Sequence, residues 1–213
     1  MSETIDTVSA FDGRPPIVHI SDIHGYLDAA RSALLTVGET EGHEPIIIVD
    51  NDDTIHWADN DYVLVINGDV IDRGPDNKAA LEMVLRLISE APPGRVQYHI
   101  GNHEMPIMVP AVLSWRDTYS HAMAASNRES FLNRVLEAEV TAAFEGYSHV
   151  YSHAGSNEPL DPETINAQLR TAAEKLLAAT GDPDEPGVQQ EVVDQHDRIF
   201  ELGEDGGRGP SAG

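Results

Sequence analysis

The chain has 213 residues, the size of one globular domain. It sets 37 Asp and Glu against 13 Lys and Arg, a net charge of −24, and has no cysteine. These numbers exclude disulfides, thiolate metal sites and a cysteine nucleophile, and they oppose a nucleic-acid scaffold, which binds through Lys and Arg.

The elements follow in chain order. Residues 1–15 are polar and acidic, lack an export pattern and are expected to be flexible. Pro16 to Ile20 is a short β-branched run, a buried strand that ends at Ser21-Asp22-Ile23-His24-Gly25. Leu27, Ala30, Leu34 and Leu35 keep helical spacing, and Gly38 is expected to stop that helix. Ile46 to Val49 is a second strand. The segment 50–61 reads as a solvated acidic loop or hairpin, with Asp50, Asp52 and Asp53 as surface carboxylates rather than a calcium site. Tyr62 to Ile66 is a third strand and runs into Asn67-Gly68-Asp69. Asp76 is placed to cap a helix carrying Leu81, Val84, Leu85 and Ile88 on one face. Val96 to Ile100 is the next strand, ending at Gly101-Asn102-His103-Glu104. Residues 105–146 are expected to be mainly helical, and Ser148 to Ser152 is a strand ending at His153-Ala154-Gly155. Asp161-Pro162 starts another helix, with Ile165, Leu169, Ala172 and Leu176 inward, and a last helix is expected over Val192–Leu202. Trp57 and Trp115 read as packing residues. No apolar run approaches the roughly 20 residues of a membrane helix. Strands alternating with helices predict one α/β domain over 1–213.

Four polar clusters sit just past strand ends, the edge at which α/β sheets form ligand sites. Asp22 and His24 pair a carboxylate with an imidazole, a set suited to a divalent transition metal. Asp69 can bridge two cations, and Arg73 offers a planar fork for phosphate oxygens. Asn102 is a neutral oxygen ligand, and its neighbour His103 is suited to general acid chemistry. His153 is a fourth-cluster ligand candidate. Each cluster alone also reads as an ordinary turn with a surface or capped polar residue. Together the inventory suffices for two adjacent metals, one on Asp22, His24 and Asp69, the other on Asp69, Asn102 and His153.

SDIHG, GDVIDRG, GNHE and SHAG, in this order across residues 17–155, resemble the signature of the phosphoprotein phosphatase branch of the calcineurin-like metallophosphoesterases. That branch includes serine/threonine protein phosphatases and diadenosine tetraphosphate hydrolases. The stretch TIHWADNDYVLVINGDVIDRG is further similar to Shewanella-like phosphatases. The resemblance implies a central β-sandwich flanked by helices (α/β/β/α), two divalent metals, with Mn²⁺ expected and Fe or Zn as alternatives, and hydrolysis of phosphomonoesters on a phosphorylated protein or small phosphoester. It also implies that Asp72 orients His103, that His103 protonates the leaving group, and that Arg73 and Arg208 hold the phosphate. Dinucleoside polyphosphate hydrolysis, or a weakly active or inactive relative that binds metal or phospho-ligand, is the alternative. The family pattern carries one more histidine beyond the second arginine, whereas this sequence ends five residues after Arg208. The expectation is therefore a weakened second metal site; His149 and His196 are read as ordinary strand and helix histidines rather than replacements. The lysine-poor acidic composition predicts a cytoplasmic protein adapted to high salt, in which charge repulsion is screened within about 3 Å at ~1 M.

Overall fold

The computed structural model describes residues 4–110, 117–156 and 158–200. Four parallel strands, β1 (Ile17–Ile20), β4 (Val63–Asn67), β5 (Val96–His99) and β6 (Val140–Thr141), form the main sheet in the order β1-β4-β5-β6. Ile17 pairs with Val63, Leu64 with Val96, and Tyr98 with Val140. Because the strands are parallel, the segments after β1, β4 and β5 emerge at one edge.

Central strand β4 is buried along its whole length, and its alternating side chains serve two layers. Leu64 and Ile66 join the principal core with Leu34 of α1 (Leu27–Glu39) and Met83, Val84 and Leu87 of α2 (Asn77–Glu90). Val63 and Val65 pack on the other face against Phe144, Ile17 and Tyr151. Phe144 and Tyr151 come from the antiparallel pair β7 (Ala143–Gly146) and β8 (His149–Ser152), the second layer of the sandwich. Each such buried aliphatic side chain contributes about 1.5–3 kcal/mol. A small hairpin, β2 (Ile47–Val49) with β3 (Ile55–Trp57), lies against α2. Helices α4 (Ala125–Leu136) and α5 (Pro162–Ala179) pack on each other, and α5 also covers β7. Asp161 caps α5 by accepting from Thr164 N at 3.0 Å. No helix among the described residues is long and apolar enough to cross a membrane.

Several expectations need correction. Residues 105–146 are only partly helical: after α3 (Met105–Met108) and α4, Ala138 takes φ 61° and the chain turns into β6 and β7. There the pairing of Val140 and Thr141 with Tyr98 and His99 outweighs local pattern. Gly38 lies inside α1, which continues to Glu39; a Cβ at Gly38 would meet Pro45 Cα at 2.8 Å, so the glycine serves close packing. Asp76 occupies the cap position of α2 without a side-chain cap bond. Asn77 Nδ2 instead donates to Gly74 O at 2.9 Å. The expected last helix is two, α6 (Glu185–Gln195) and α7 (Asp197–Phe200), broken at His196. The N-terminal segment is packed from Thr4 onward: Val8 is 5% exposed, and Glu145 N donates to Asp6 O. The acidic segment does form the expected hairpin with exposed carboxylates: Asp50 Oδ1 accepts from Asp52 N and Thr54 N in the β2–β3 turn, and Asp53 pairs with Arg31. Trp57 is buried in the core; Trp115 and Arg208 lie outside the described residues.

Candidate functional site

The strand-end segments are stitched together by backbone hydrogen bonds. Asp22 N donates to Gly68 O, His24 N to Asp69 O and Gly25 N to Val70 O, at 3.2, 2.8 and 2.8 Å. Glu104, fully buried, ties the third segment in: its Oε2 accepts from Asp69 N and Gly101 N, and its Oε1 from Val70 N, at 2.7–2.9 Å. Two glycines are sterically required. A Cβ on Gly101 would collide with Asp69 Oδ1, and one on Gly68 (φ 79°) would meet His153 Nδ1 at 2.7 Å. Asp22, His24, Asp69, Asp72 and Arg73 all adopt left-handed backbone, with φ from 49° to 72°. Such conformations cost about 1–3 kcal/mol each for ordinary residues and concentrate at functional sites.

At the centre stands one buried carboxylate oxygen. Asp69 Oδ2 lies 3.6 Å from His24 Nε2, 3.9 Å from His103 Nε2 and 3.5 Å from His153 Nε2. Asp22 Oδ1 is 3.7 Å from His24 Nε2, and Asn102 Oδ1 is 3.3 Å from His153 Nε2. Backbone carbonyls fix two of the rings. His24 Nδ1 donates to Ile71 O at 3.1 Å, and His153 Nδ1 to Asn67 O at 2.7 Å. A carbonyl only accepts, so in the neutral rings the Nε2 atoms carry lone pairs. The His24 lone pair faces the carboxylate oxygens of Asp22 and Asp69. The buried Nε2 of His24 has no hydrogen-bond partner.

That arrangement fits divalent cations. The groups His24–Asp69–His103 and Asp22–Asp69–His153 each bring one ligand atom per residue within 4.8 Å of the others. Burial, opposed by the Ile71 carbonyl and reinforced by Arg73 and His103, lowers the His24 imidazole and keeps it in the neutral, ligating form. Burial, and then the Glu104 carboxylate, pushes Asp69 up to about 8, a penalty that a bound cation removes. All five expected ligands, Asp22, His24, Asp69, Asn102 and His153, therefore meet in one place. The grouping differs from the expected one in that His103 Nε2 also approaches Asp69 and Asp22 clusters with His153.

Beside the carboxylate lies a second constellation. His103 N donates to Asp69 Oδ1 at 3.0 Å, and its ring Nδ1 donates to Asp72 Oδ2 at 2.9 Å. Arg73, exposed, brings its guanidinium to 3.3 Å from His103 Nε2. Burial alone would raise Asp72, but hydrogen bonds from His103 and Ser120 outweigh it and hold the carboxyl below the usual range. An ionised Asp72 thus stands behind a fixed imidazole, with a cationic fork at its outer nitrogen, an arrangement able to deliver a proton to an anionic ligand.

Sequence reasoning missed three supporting groups. Glu104 was visible in Gly101-Asn102-His103-Glu104, but its burial was not. Ser120, 48 positions from Asp72, gave no signal at all. Asn67 joins both sheets by donating to Ser152 O at 2.7 Å and accepting from His99 Nδ1 at 2.7 Å. His99 is fully buried and pushed down to about 3, first by burial and then by His19 and His153.

Comparison with known proteins bears on the family and the fold. The family model described as calcineurin-like phosphoesterase matches residues 15–208. A mutant of a cold-active protein tyrosine phosphatase has a similar fold, with a TM-score of 0.57 at 22% identity, and the match covers 100% of this chain and 60% of that one. The cold-active protein-tyrosine phosphatase of a psychrophile Shewanella sp. gives 0.55 at 22% identity, covering 99% and 59%. This chain therefore spans about three-fifths of the length of those solved structures.

Proposed function

The chain belongs to the calcineurin-like phosphoesterases, a family of metal-dependent phosphoesterases, and on that premise we propose that it hydrolyses phosphomonoesters of the phosphoserine and phosphothreonine type. The observation that carries this reading is the single oxygen Asp69 Oδ2 facing three imidazole Nε2 atoms, next to the Asp72–His103–Arg73 group. In this reading Asp22, His24 and Asp69 hold one divalent cation, and Asp69, Asn102 and His153 hold the other, with Mn²⁺ as the proposed metal. When bound, such cations supply Lewis acidity: they neutralise phosphate charge and lower the pKa of a water near neutral pH.

The chain's own residues do the rest. Arg73 turns its fork to two phosphate oxygens and stabilises charge on them. His103 keeps Nδ1–H on Asp72 and, as general acid, presents a proton at Nε2 to the ester oxygen. Water oxygen bonds to phosphorus as the ester P–O bond breaks, the His103 Nε2 proton passes to the departing alkoxide, and one proton of the attacking water is given up to restore His103, leaving hydrogen phosphate. No covalent enzyme intermediate is needed.

Hydrolysis of p-nitrophenyl phosphate with Mn²⁺ in multimolar KCl, beside Asp69→Asn, tests the activity. Turnover in the wild type and its loss in the variant are expected; a folded wild type without turnover would overturn the proposal. The high salt addresses the proposed adaptation of so acidic a chain. A second reading is hydrolysis of phosphotyrosine, favoured by solved structures named as tyrosine phosphatases. Phosphoserine, phosphothreonine and phosphotyrosine peptides assayed together, with diadenosine tetraphosphate beside them, decide among these substrates.

A further inference from the structure

The carboxylate behind His103 is held from a part of the chain that the phosphatase reading leaves unused. Asp72 Oδ1 accepts from Ser120 N at 2.9 Å, and Asp72 Oδ2 accepts from Ser120 Oγ at 2.7 Å. The same Oδ2 accepts from His103 Nδ1 at 2.9 Å. Ser120 is fully buried, so this is no surface serine. A carboxylate only accepts, which fixes the direction of each bond. Ser120 Oγ spends its one proton on Asp72, so the Thr118 hydroxyl, 3.1 Å away, donates to Ser120 Oγ. Thr118 Oγ1 in turn accepts from His121 N at 3.2 Å. Hydrogen bonds thus run from the 118–121 turn through Ser120 to Asp72, the carboxylate on which the ring of His103 also converges.

We propose that Ser120 is a positioning residue for leaving-group protonation, acting through Asp72 to aim the His103 ring, and that it therefore matters most for substrates with poor leaving groups. The inference rests on the phosphomonoesterase reading. The Ser120 hydroxyl and the His103 ring share one oxygen, so the hydroxyl sets the rotation of the carboxylate to which the ring is tied. Without it, the Ser120 backbone N–H on the other oxygen is all that holds Asp72 besides the ring itself, and the carboxylate can turn with the ring away from the aimed position. Two donors converge on one acceptor oxygen, so a hydroxyl two bonds from the ring bears on it through the orientation of the shared carboxylate.

A serine that merely anchors its turn and a serine that aims His103 predict different patterns. Departure of 2,4-dinitrophenolate needs no proton, whereas departure of phenolate or a serine alkoxide does. Ser120→Ala is expected to hydrolyse 2,4-dinitrophenyl phosphate within about twofold of wild type. It should fall on the order of 10-fold on phenyl phosphate and a phosphoserine peptide, a fraction of the 10²–10⁴-fold that a positioned general acid supplies. Thr118→Val, further out, should show the same selectivity at smaller size, and Ser120→Thr, which keeps the hydroxyl, should restore the poor substrates. Equal loss on all substrates, or no loss on any, overturns the proposal. The ring itself gives a readout independent of turnover. In the metal-free full-length protein the His103 Nδ1 proton should appear as a slowly exchanging downfield NMR signal, absent in His103→Gln and broadened or shifted in Ser120→Ala. An unchanged signal in Ser120→Ala likewise overturns the proposal. A wild type that hydrolyses none of these esters overturns the functional reading instead, and the ring signal then judges Ser120 by itself.

Discussion

Acid should destabilise this protein through one histidine outside the candidate metal ligands. His99 is fully buried on β5, its Nδ1 donates to Asn67 Oδ1 at 2.7 Å, and its pKa is pushed from 6.5 down to about 3. In the folded state the ring stays neutral through mild acid, whereas the unfolded chain takes up a proton below 6.5. The unfolded state then binds more protons than the native one, so stability falls as pH drops from 6.5 toward 3. At about pH 4.5 the histidine sits two units below its unfolded value, and at 1.36 kcal/mol per unit it removes about 3 kcal/mol, a large share of the 5–15 kcal/mol typical of a domain. His99→Gln keeps a donor for Asn67 and does not titrate. Urea unfolding of both proteins at pH 7.5 and 4.5 isolates the contribution, because the other titrating groups are common to both. The variant should start less stable, by about 1–3 kcal/mol of packing loss, and the gap should close by about 3 kcal/mol at the lower pH. Stability curves that stay parallel from pH 7.5 to 4.5 would refute a neutral, buried His99.

Three further outcomes follow from the site. His103→Gln should lower kcat by about 10²–10⁴-fold on esters with poor leaving groups while leaving divalent-cation binding nearly intact, as titration calorimetry beside the steady-state assay would show. Glu104→Gln sets an amide N–H₂ against backbone donors that now give to a carboxylate; it should cost about 3 kcal/mol by chemical denaturation, the scale of one or two lost hydrogen bonds to a charged acceptor. Mn²⁺ at 100 times its dissociation constant should raise the unfolding free energy of the wild type by about 2.7 kcal/mol, visible as a higher Tm, and Asp69→Asn should abolish most of that rise.

Much of the architecture was legible because its signals are local. β1 and β4 are β-branched runs, β5 and β8 short valine- and tyrosine-bearing runs, each followed by a Gly-, Asp-, Asn- or His-bearing turn, and the Asp161-Pro162 start of α5 is a cap that needs no tertiary partner. β6 and β7 were not legible, since Val140 and Thr141 become a strand only by pairing with Tyr98 and His99. The break at His196 and the continuation of α1 through Gly38 likewise depend on what packs beside them.

The candidate site divides in the same way. Asp22, His24, Asp69, Asp72, Arg73, Asn102, His103 and His153 could be named from the sequence because each follows a strand, and parallel strands deliver their ends to one edge. The types of candidate ligand were thereby determined, along with the motif order that marks the family. Which ligands share a neighbourhood was decided only by the tertiary structure: three imidazoles converge on one Asp69 oxygen because carbonyls of Ile71 and Asn67 turn the His24 and His153 rings. The same is true of Glu104, Ser120 and His99, ordinary polar residues in the sequence. Burial and long-range hydrogen bonds set what each of them does, and neither property is carried by residues adjacent in the chain.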